Sequence, residues 1–217
     1  MLERFIQDLR TDDPGAEEPA ATRARLKPGF APGAARRMTL LGMLVGAALG
    51  DLRPAEDDTV VYASTFGESR ALEAFLDSFP DASPTQFQTS IHPSGVQQGL
   101  IGRQQSVREV FPHGGGDHLP AQALLTALLA PARRVLLAGG EESGTWLVPA
   151  GAASGRTFAY ALALTREAGP APLGRLELVP GAAAGGLSPA AWFELLHHRH
   201  PFDGPAAPGW RLRLVWS

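Results

Sequence analysis

The residues with the clearest chemical potential lie near the middle of the chain. Ser90 and His92 precede a predicted helix, and His113 follows it and opens the glycine run Gly114–Gly116. Serine and histidine can take part in acyl transfer, and clustered backbone N–H groups can stabilise an oxyanion. No partner base or nucleophile accompanies the two histidines in the sequence. His92 and His113 are therefore candidates for lining a pocket, without a mechanism of their own.

The glycine run matches two kinds of site only in part. A histidine followed by three glycines is typical of the oxyanion-hole loop of lipase-type esterases, but the Gly-x-Ser-x-Gly turn of that class is absent, and Glu142-Ser143-Gly144 comes nearest to it. A phosphate at a helix N-terminus is disfavoured because the Gly-x-Gly-x-x-Gly spacing is missing and Asp117 would repel an anion. We expect the glycines to allow tight backbone packing.

The composition excludes several further classes. The 217 residues contain no cysteine, which excludes disulfides, thiolate metal sites and cysteine nucleophiles. A net charge of −3 argues against nucleic acid as a partner. Lys27 is the only lysine and follows no glycine-rich run, so a P-loop is excluded. The apolar stretch Met38–Leu49 is much shorter than the roughly 20 residues of a membrane span. We expect a cytoplasmic protein.

Histidines near the C-terminus carry metal-ligating atoms. His197, His198 and His200 lie close to Asp203, but only His197 and His200 share a helix face. The helix dipole favours histidine at an exposed helix end. We expect such an end here, with no metal and no other cofactor.

Strands that alternate with helices predict the elements that must position these residues. The predicted strands are Thr59–Ser64, Val107–Phe111, Arg133–Gly140, Phe158–Leu164, Arg175–Val179 and Arg211–Trp216, with Phe87–Ile91 extended. The predicted helices are Ala34–Gly50, Glu68–Phe79, Ser94–Gly102, Asp117–Leu129 and Pro189–His197. The helix that Asp117 is expected to cap has almost no polar face, so it must be buried. The alternation predicts a layered α/β fold.

The N-terminal segment differs from the rest. Leu2, Phe5, Ile6 and Leu9 lie on one face if Leu2–Arg10 is helical, and an acidic stretch punctuated by proline follows. We predict an N-terminal helix and linker arm over residues 1–30 and a single α/β domain over residues 31–217.

Several segments of the chain occur in the order that is found in a known family. These segments are Gly33–Met38, Val60–Glu68, Ser83–His92, Gly116-Asp117 before an Ala/Leu-rich helix, and Arg134–Leu137. Over residues 30–145 the chain resembles the short β-ketoacyl-synthase-like proteins of aryl-polyene and xanthomonadin-type pigment clusters, often labelled 3-oxoacyl-carrier-protein synthases or chain length factors. The closing strand Trp210–Trp216 also fits. These proteins are similar to the N-terminal half of a ketosynthase.

The resemblance implies a thiolase-like fold with a mixed sheet and a buried central helix. In a full ketosynthase the nucleophilic cysteine lies just before that helix, in a Thr-Ala-Cys-x-x-Gly turn. Aligning this turn with Phe111–Gly116 places His113 at the cysteine position. The two histidines that assist condensation belong to the second half of a ketosynthase, which this length does not accommodate. Where the short proteins read Ser-Val-His-Asn, this chain reads Ser90-Ile91-His92-Pro93.

The resemblance therefore implies a subunit that does not elongate an acyl chain. We refer to Ser90, His92, His113 and Gly114–Gly116 as the relic site. The implied partner is a catalytic ketosynthase, or a second copy of this chain, in polyene, polyketide or fatty-acyl biosynthesis. The interface of thiolase-like proteins would then fall on residues of the predicted strand and helix, namely Val107, Arg108, Glu109, Val110, Phe111, Val96 and Leu100.

Two other functions stay open at this point. One is a standalone acyl-transfer or thioesterase-type enzyme that uses His113, or Ser90 with His92. The other is a scaffold that binds an acyl carrier protein. The net charge disfavours docking of an acidic carrier, although the four arginines Arg103, Arg108, Arg133 and Arg134 would favour it if they cluster.

Overall fold

Three parallel strands form one side of a mixed eight-stranded sheet in the computed structural model, which describes residues 1–182 and 184–217. The strands are β1 (Leu2–Asp12), β2 (Thr59–Ser64), β3 (Glu109–Gly114), β4 (Arg134–Glu141), β5 (Phe158–Thr165), β6 (Gly174–Pro180), β7 (Phe202–Ala207) and β8 (Trp210–Trp216). Their order in the sheet is β3-β2-β4-β5-β1-β6-β8-β7. Strands β3, β2 and β4 run parallel to one another, and each of the other pairings in that order is antiparallel.

Helices cover both faces of this sheet. They are α1 (Pro19–Leu26), α2 (Pro32–Ala35), α3 (Leu40–Asp51), α4 (Ser69–Asp77), α5 (Pro84–Ser90), α6 (Ser94–Gly102), α7 (Leu119–Leu129) and α8 (Pro189–His197). Val61 and Ala63 of β2 belong to a core with α7 and α8, whereas Val60 and Tyr62 belong to a core with α3 and α6. All of β2 is buried, as expected for a parallel strand covered on both faces. The predicted layered α/β fold is confirmed.

The prediction of an N-terminal helix is wrong. Residues 2–12 form β1, which lies inside the sheet between β5 and β6. The pairing with β5 shifts register between Ile6 and Asp8, so the strand contains a bulge. The bulge returns Ile6 and Leu9 to the same core despite their spacing of three residues, which imitates a helical repeat. The first twelve residues are thus part of the sheet and do not rest on it as an arm.

Capping residues explain two further differences between the predicted and the observed helices. Residues 84–90 are helical and not extended, because Ser83 accepts a hydrogen bond from the backbone N–H of Gln86 and Pro84 begins the helix. The predicted helix Ala34–Gly50 is divided, because Thr39 caps α3 by accepting from the N–H of Gly42. The predicted bounds of α6 and α8 agree with the structure. Strand β7 was not predicted.

The two predicted strands nearest the C-terminus, β6 and β8, lie inside the sheet. Strand β8 alternates buried and more exposed residues. Neither β6 nor β8 is an edge strand, because β7 pairs with the outer side of β8. The edges of the sheet are β3 and β7.

A buried arginine connects β1 to the end of α7. The Arg4 guanidinium donates to the carbonyl oxygens of Ala130 (2.6 Å), Ala132 (3.1 Å) and Arg133 (3.3 Å), directly after the last turn of α7. Burial lowers the pKa of Arg4 to about 10, which leaves the group charged at neutral pH. The guanidinium therefore supplies the donors that the helix end and the following turn lack.

Replacing Arg4 should destabilise the protein. We expect Arg4→Met to lower the free energy of unfolding by about 2 to 3 kcal/mol, because buried carbonyl groups lose a charged donor. Urea unfolding followed by circular dichroism measures this loss. Arg10→Met is the control on the same strand, because Arg10 bonds only to the neighbouring Asp8 and Leu9 and is partly exposed. Equal stability of Arg4→Met and wild type would contradict the assignment.

Candidate functional site

The site residues lie where the parallel strands end. Strands β3, β2 and β4 finish at Gly114, Ser64 and Glu141, so their carboxyl ends lie at the same end of the sheet. Ligands of α/β proteins bind in crevices at the carboxyl ends of parallel strands, because the loops that follow these strands converge there. The loops after β2 and β4 and the turn between β3 and α7 form the site.

His92 and His113 converge at this end of the sheet, as their flanking positions suggested. The His92 ring stacks on Tyr62 with 4.7 Å between ring centroids. It also lies beside Gly67 and Gly114, where a Cβ would meet His92 atoms at 3.4 Å and 3.7 Å. Burial lowers the pKa of both His92 and His113, so the two imidazoles are neutral at pH 7. Neutral, half-buried rings are suited to packing against apolar or aromatic groups.

Ser90 does not join the two histidines chemically. Its hydroxyl donates to the carbonyl oxygen of Phe87 in the last turn of α5, a local bond that uses its proton. Gly114 is the last residue of β3, and Gly115 and Gly116 follow with φ values of +67° and +84°. This left-handed conformation is one that glycine adopts readily, so the turn into α7 depends on both.

The residue that directly precedes the buried helix is His118. It occupies the N-cap of α7 with a φ of +71° and makes no side-chain cap bond, so the prediction that Asp117 caps this helix is wrong. His113 lies in β3, with the glycine turn and Asp117 between it and the helix. The alignment anchored at Gly116 placed the cysteine position three residues before that glycine, with the helix expected from Asp117, whereas α7 begins only at Leu119.

A cavity of about 510 Å³ opens at the turn before α7. Its walls are Thr65 and Phe66 after β2, Gly116–His118 before α7, Ser154 and Gly155 before β5, Phe158 at its start, Ser188–Ala190 at the start of α8, and Glu141. His118 lines this cavity, whereas His92 and His113 do not. The structure thus separates His92 and His113, which lie outside the cavity, from His118, which lines it.

Buried glutamates hold the loops around this cavity. Glu141 accepts from the backbone N–H of Thr65 (2.5 Å) and Phe66 (3.3 Å) and from the Ser64 hydroxyl (3.1 Å). Glu73 accepts from the N–H groups of Thr145 (2.5 Å) and Leu147 (3.1 Å) after β4. Glu141 thus connects β4, and Glu73 connects α4, to a loop that is distant in sequence, and backbone N–H groups donate to both carboxyl groups.

Two further glutamates lie deeper. Glu68 accepts from the N–H of Gly95 (2.9 Å) at the start of α6, and Glu142 accepts from the N–H of Arg70 (2.9 Å) at the start of α4. Both are fully buried, and the Oε2 atom of each has no hydrogen-bond partner. Burial raises the pKa of both carboxyl groups to about 7. The relic-site prediction omitted both residues. Glu142 directly follows the apolar strand β4, which is a signal in the sequence, whereas its proximity to Glu68 arises only in the folded chain.

Part of the predicted interface faces the interior. Val96 and Leu100 are buried in the core with α3, so they do not form a surface. Strand β3 is an edge of the sheet, and Phe111 on it is 38% exposed. Val107 and Val110 pack partly against the core, and Arg108 and Glu109 lie beside each other. Of the predicted interface residues, those on or next to β3 are therefore the ones that reach the surface.

Two other groups of residues noted in the sequence are engaged in local contacts. Arg134 pairs with Asp58, Arg133 lies near Glu167, and Arg103 lies over the Phe30 ring, so these arginines have separate partners. The rings of His197, His198 and His200 lie together at the end of α8, where His197 also stacks on Phe193 and the Glu194 carboxylate contacts His198. Within the described residues no group of three or more metal-ligating side chains is positioned to hold an ion.

The sheet order and the helices on its two faces define the α/β thiolase-like fold that the resemblance implied. The structure is similar to a chain in the complex of the ketosynthase ApeO with its chain length factor ApeC from Xenorhabdus doucetiae, with a TM-score of 0.70, 21% identity, and coverage of 99% of this chain and 100% of that chain. The ishigamide ketosynthase/chain length factor is similar over 83% of this chain and 68% of its own, with a TM-score of 0.59 and 15% identity.

Similarity at the sequence level is below detection. No protein-family model matches the chain, and no curated protein matches it significantly.

No helix among the described residues is long and apolar enough to cross a membrane.

The buried carboxyl pair should give stability an unusual pH dependence. Because the folded state raises the pKa of Glu68 and Glu142 from about 4.5 to about 7, it binds their protons more tightly than the unfolded chain. Their contribution is fully present below about pH 4.5 and is lost as pH rises through 7. We expect the difference in unfolding free energy between Glu68→Gln/Glu142→Gln and wild type to increase over this range by about 3 kcal/mol per carboxyl.

Denaturant unfolding at a series of pH values measures this difference. Glu73→Gln is the matched control, because the backbone N–H groups of Thr145 and Leu147 lower the pKa of Glu73 despite its burial. Its difference from wild type should stay constant between about pH 5 and 8. A pH-independent difference for the double variant would show that the two carboxyl groups are ionised throughout.

Proposed function

We propose that this chain is a non-elongating β-ketoacyl-synthase-like subunit, a chain-length-factor-like partner of a catalytic ketosynthase. The observation that carries the proposal is a thiolase-like fold whose site contains no possible thioester nucleophile, since the whole sequence lacks cysteine. Claisen condensation needs a nucleophile that becomes an acyl thioester. The chain therefore acts through a partner that has one.

The structural neighbours support this role. Both similar structures come from assemblies of a ketosynthase with a chain length factor. The match to the ApeO–ApeC complex covers nearly all of both chains, so the matched chain is as short as this one. By resemblance a catalytic ketosynthase is about twice this length, which favours the chain length factor as the equivalent of this chain.

We assign His118, in place of His113, to the position that the nucleophilic cysteine takes in a ketosynthase. Three features support the assignment: His118 directly precedes α7, its φ is positive, and it lines the cavity. An imidazole at this position does not hold a long-lived acyl group. The other members of the relic site, Ser90 and His92, are used in a local bond and in stacking on Tyr62.

Strand β3 is the surface that we propose for the ketosynthase partner. As an edge strand it presents unpaired backbone groups on its outer side, and such an edge can add a strand from another chain. Pro112 removes one donor, which an edge strand tolerates. Phe111 adds an exposed apolar side chain at its centre. A self-dimer through the same edge is the competing arrangement.

The wider setting follows from the same resemblance. We place the complex in the cytoplasm and its product among polyenes or other fatty-acyl-type chains, of which the aryl polyenes are the closest expectation. An acyl carrier protein would deliver the substrate. A standalone thioesterase or acyl transferase is disfavoured, because neither His113 nor the Ser90 and His92 pair faces the cavity.

Single-cysteine variants distinguish the two histidine positions. In a chain without cysteine, His118→Cys and His113→Cys each introduce the only thiol. We expect iodoacetamide to alkylate His118→Cys at least about tenfold faster at neutral pH, because its thiol faces the cavity at the α7 N-terminus, where thiolate is stabilised. Intact-mass measurements follow the reaction. Faster alkylation of His113→Cys would contradict this assignment and favour His113, on β3, as the equivalent of the nucleophile.

A charge on β3 should prevent partner binding. We expect Phe111→Glu to weaken the complex with a full-length ketosynthase of the same organism by at least about tenfold, since it places a carboxylate in the apolar centre of the contact. Size-exclusion chromatography with light scattering measures complex and self-dimer together. Val215→Glu is the control, because Val215 lies on β8 and is 43% exposed. Unchanged binding by Phe111→Glu would exclude β3 as the interface.

A further inference from the structure

Helices α4 and α5 are joined to the rest of the protein chiefly by polar contacts. The buried residues of α4 are Ser69 and Glu73, and α5 has none, so neither helix buries an apolar side chain. In α3 and α7, by contrast, most apolar residues are buried. A segment that buries little apolar surface opens at a lower free energy than the core does. We refer to residues 69–90 as the α4–α5 hairpin.

The two helices of the hairpin are held to each other by aromatic rings. Phe75 of α4 packs against Phe79 and against Phe87 of α5, with 5.4 Å and 5.2 Å between ring centroids. Gly67, with a φ of +61°, lies shortly before the hairpin, and Ile91 follows it in an extended conformation. Because its internal contacts are apolar, the hairpin can move as one unit about these two ends.

The anchors of the hairpin lie on the loop that follows β4. The Arg70 backbone N–H donates to Glu142 (2.9 Å), and the Arg70 Nε donates to the carbonyl oxygen of Ser143 (2.9 Å). Glu73 accepts from the backbone N–H groups of Thr145 and Leu147 in the same loop. The closed position of the hairpin thus depends on hydrogen bonds to two carboxyl groups and one carbonyl group.

Both segments that hold the hairpin continue into the walls of the cavity. Thr65 and Phe66, directly before Gly67, line the cavity on one side. The loop after β4, which carries the anchors, lines it further along at Ala153–Gly155. Opening of the hairpin would therefore release the loops on two sides of the cavity.

The proton on Glu142 determines how firmly this anchor holds. Glu142 is fully buried, and its Oε2 atom has no hydrogen-bond partner. Burial and the charge of Glu68 raise the pKa of Glu142 to about 7, against the lowering effect of Arg70. The titratable or charged groups around it are Glu68 and Arg70 at the start of α4, Tyr62 of β2 and Glu141 of β4. Arg70 supplies the one positive charge among these groups.

We propose that the α4–α5 hairpin is a flap beside the cavity, latched by the neutral form of Glu142 and released when that carboxyl group loses its proton. The neutral group still accepts the Arg70 N–H, whereas the ionised group regains its hydration only when the flap opens. The closed state binds the proton more tightly, so opening increases as pH rises through 7. The inference goes beyond the proposed function, because it involves neither β3 nor the residue that precedes α7.

Hydrogen exchange followed by mass spectrometry tests the flap. We expect the amides of α4 and α5 to share one protection factor, at least about tenfold below that of the α7 amides. This factor should fall by about tenfold between about pH 6 and about pH 8, because the pKa of Glu142 is about 7 in the closed state and about 4.5 in the open state. The amides of Thr145 and Leu147 should exchange with the hairpin, because opening breaks their bonds to Glu73.

Two glutamine variants separate the latch from the other anchor. Glu142→Gln keeps an acceptor for the Arg70 N–H but cannot ionise, so its protection factor for the hairpin should change less than about threefold between these pH values. Glu73→Gln is the matched control. It weakens the other anchor, whose pKa is lowered by the N–H groups that it accepts, so it should increase opening at both pH values and keep the tenfold pH dependence.

Several results would overturn the proposal. Equal protection of the α4, α5 and α7 amides would show that the hairpin opens only when the whole protein unfolds. Unequal protection of α4 and α5 would show that they do not move as one unit. A protection factor independent of pH in the wild-type chain, or an unchanged pH dependence in Glu142→Gln, would exclude Glu142 as the latch. Circular dichroism confirms that each variant is folded, and the wild-type profile tests the proposal without any substitution.

Discussion

The insertion of β1 between β5 and β6 is the constraint on which the rest of the structure depends. It joins the strands that carry the site, through β5, to the three strands β6, β8 and β7. Arg4 on the same strand supplies donors at the C-terminal end of α7, and the N-terminal end of α7 presents His118 to the cavity. The N-terminal strand thereby determines where the central helix ends and, through it, where the turn of the site lies.

The end of the sheet at which the parallel strands finish is stabilised by carboxyl groups and presents no thiol. Glu141 and Glu73 accept backbone N–H groups from loops distant in sequence, so the loops are held without metal ligands or charged side-chain partners. His92 is stacked on Tyr62, and burial keeps it neutral. This architecture shapes a cavity and contains no thiol that could carry an acyl chain as a thioester. The role that we propose, a subunit that limits or guides a chain held by its partner, needs no such thiol.

Sequence patterns predict the elements whose periodicity is uninterrupted. The burial of β2 and the bounds of α6 and α8 are predicted correctly from composition and from the residues that favour the start and end of a helix. Strand β1 was mistaken for a helix because a bulge gives Ile6 and Leu9 a helical spacing. His118 directly precedes α7 because that helix begins at Leu119, two residues later than the sequence predicts. The buried pair Glu68 and Glu142 depends on loops that meet only in the folded chain.

The central claim is that this chain modifies the outcome of condensation without carrying the acyl intermediate. Reconstitution of a full-length ketosynthase from the same organism with carrier protein and extender, with and without this chain, tests it directly when intact proteins and products are analysed by mass spectrometry. We predict that acyl adducts form on the ketosynthase alone and that adding this chain changes the product length. An acyl adduct on this chain, or identical products in both reactions, would contradict the account.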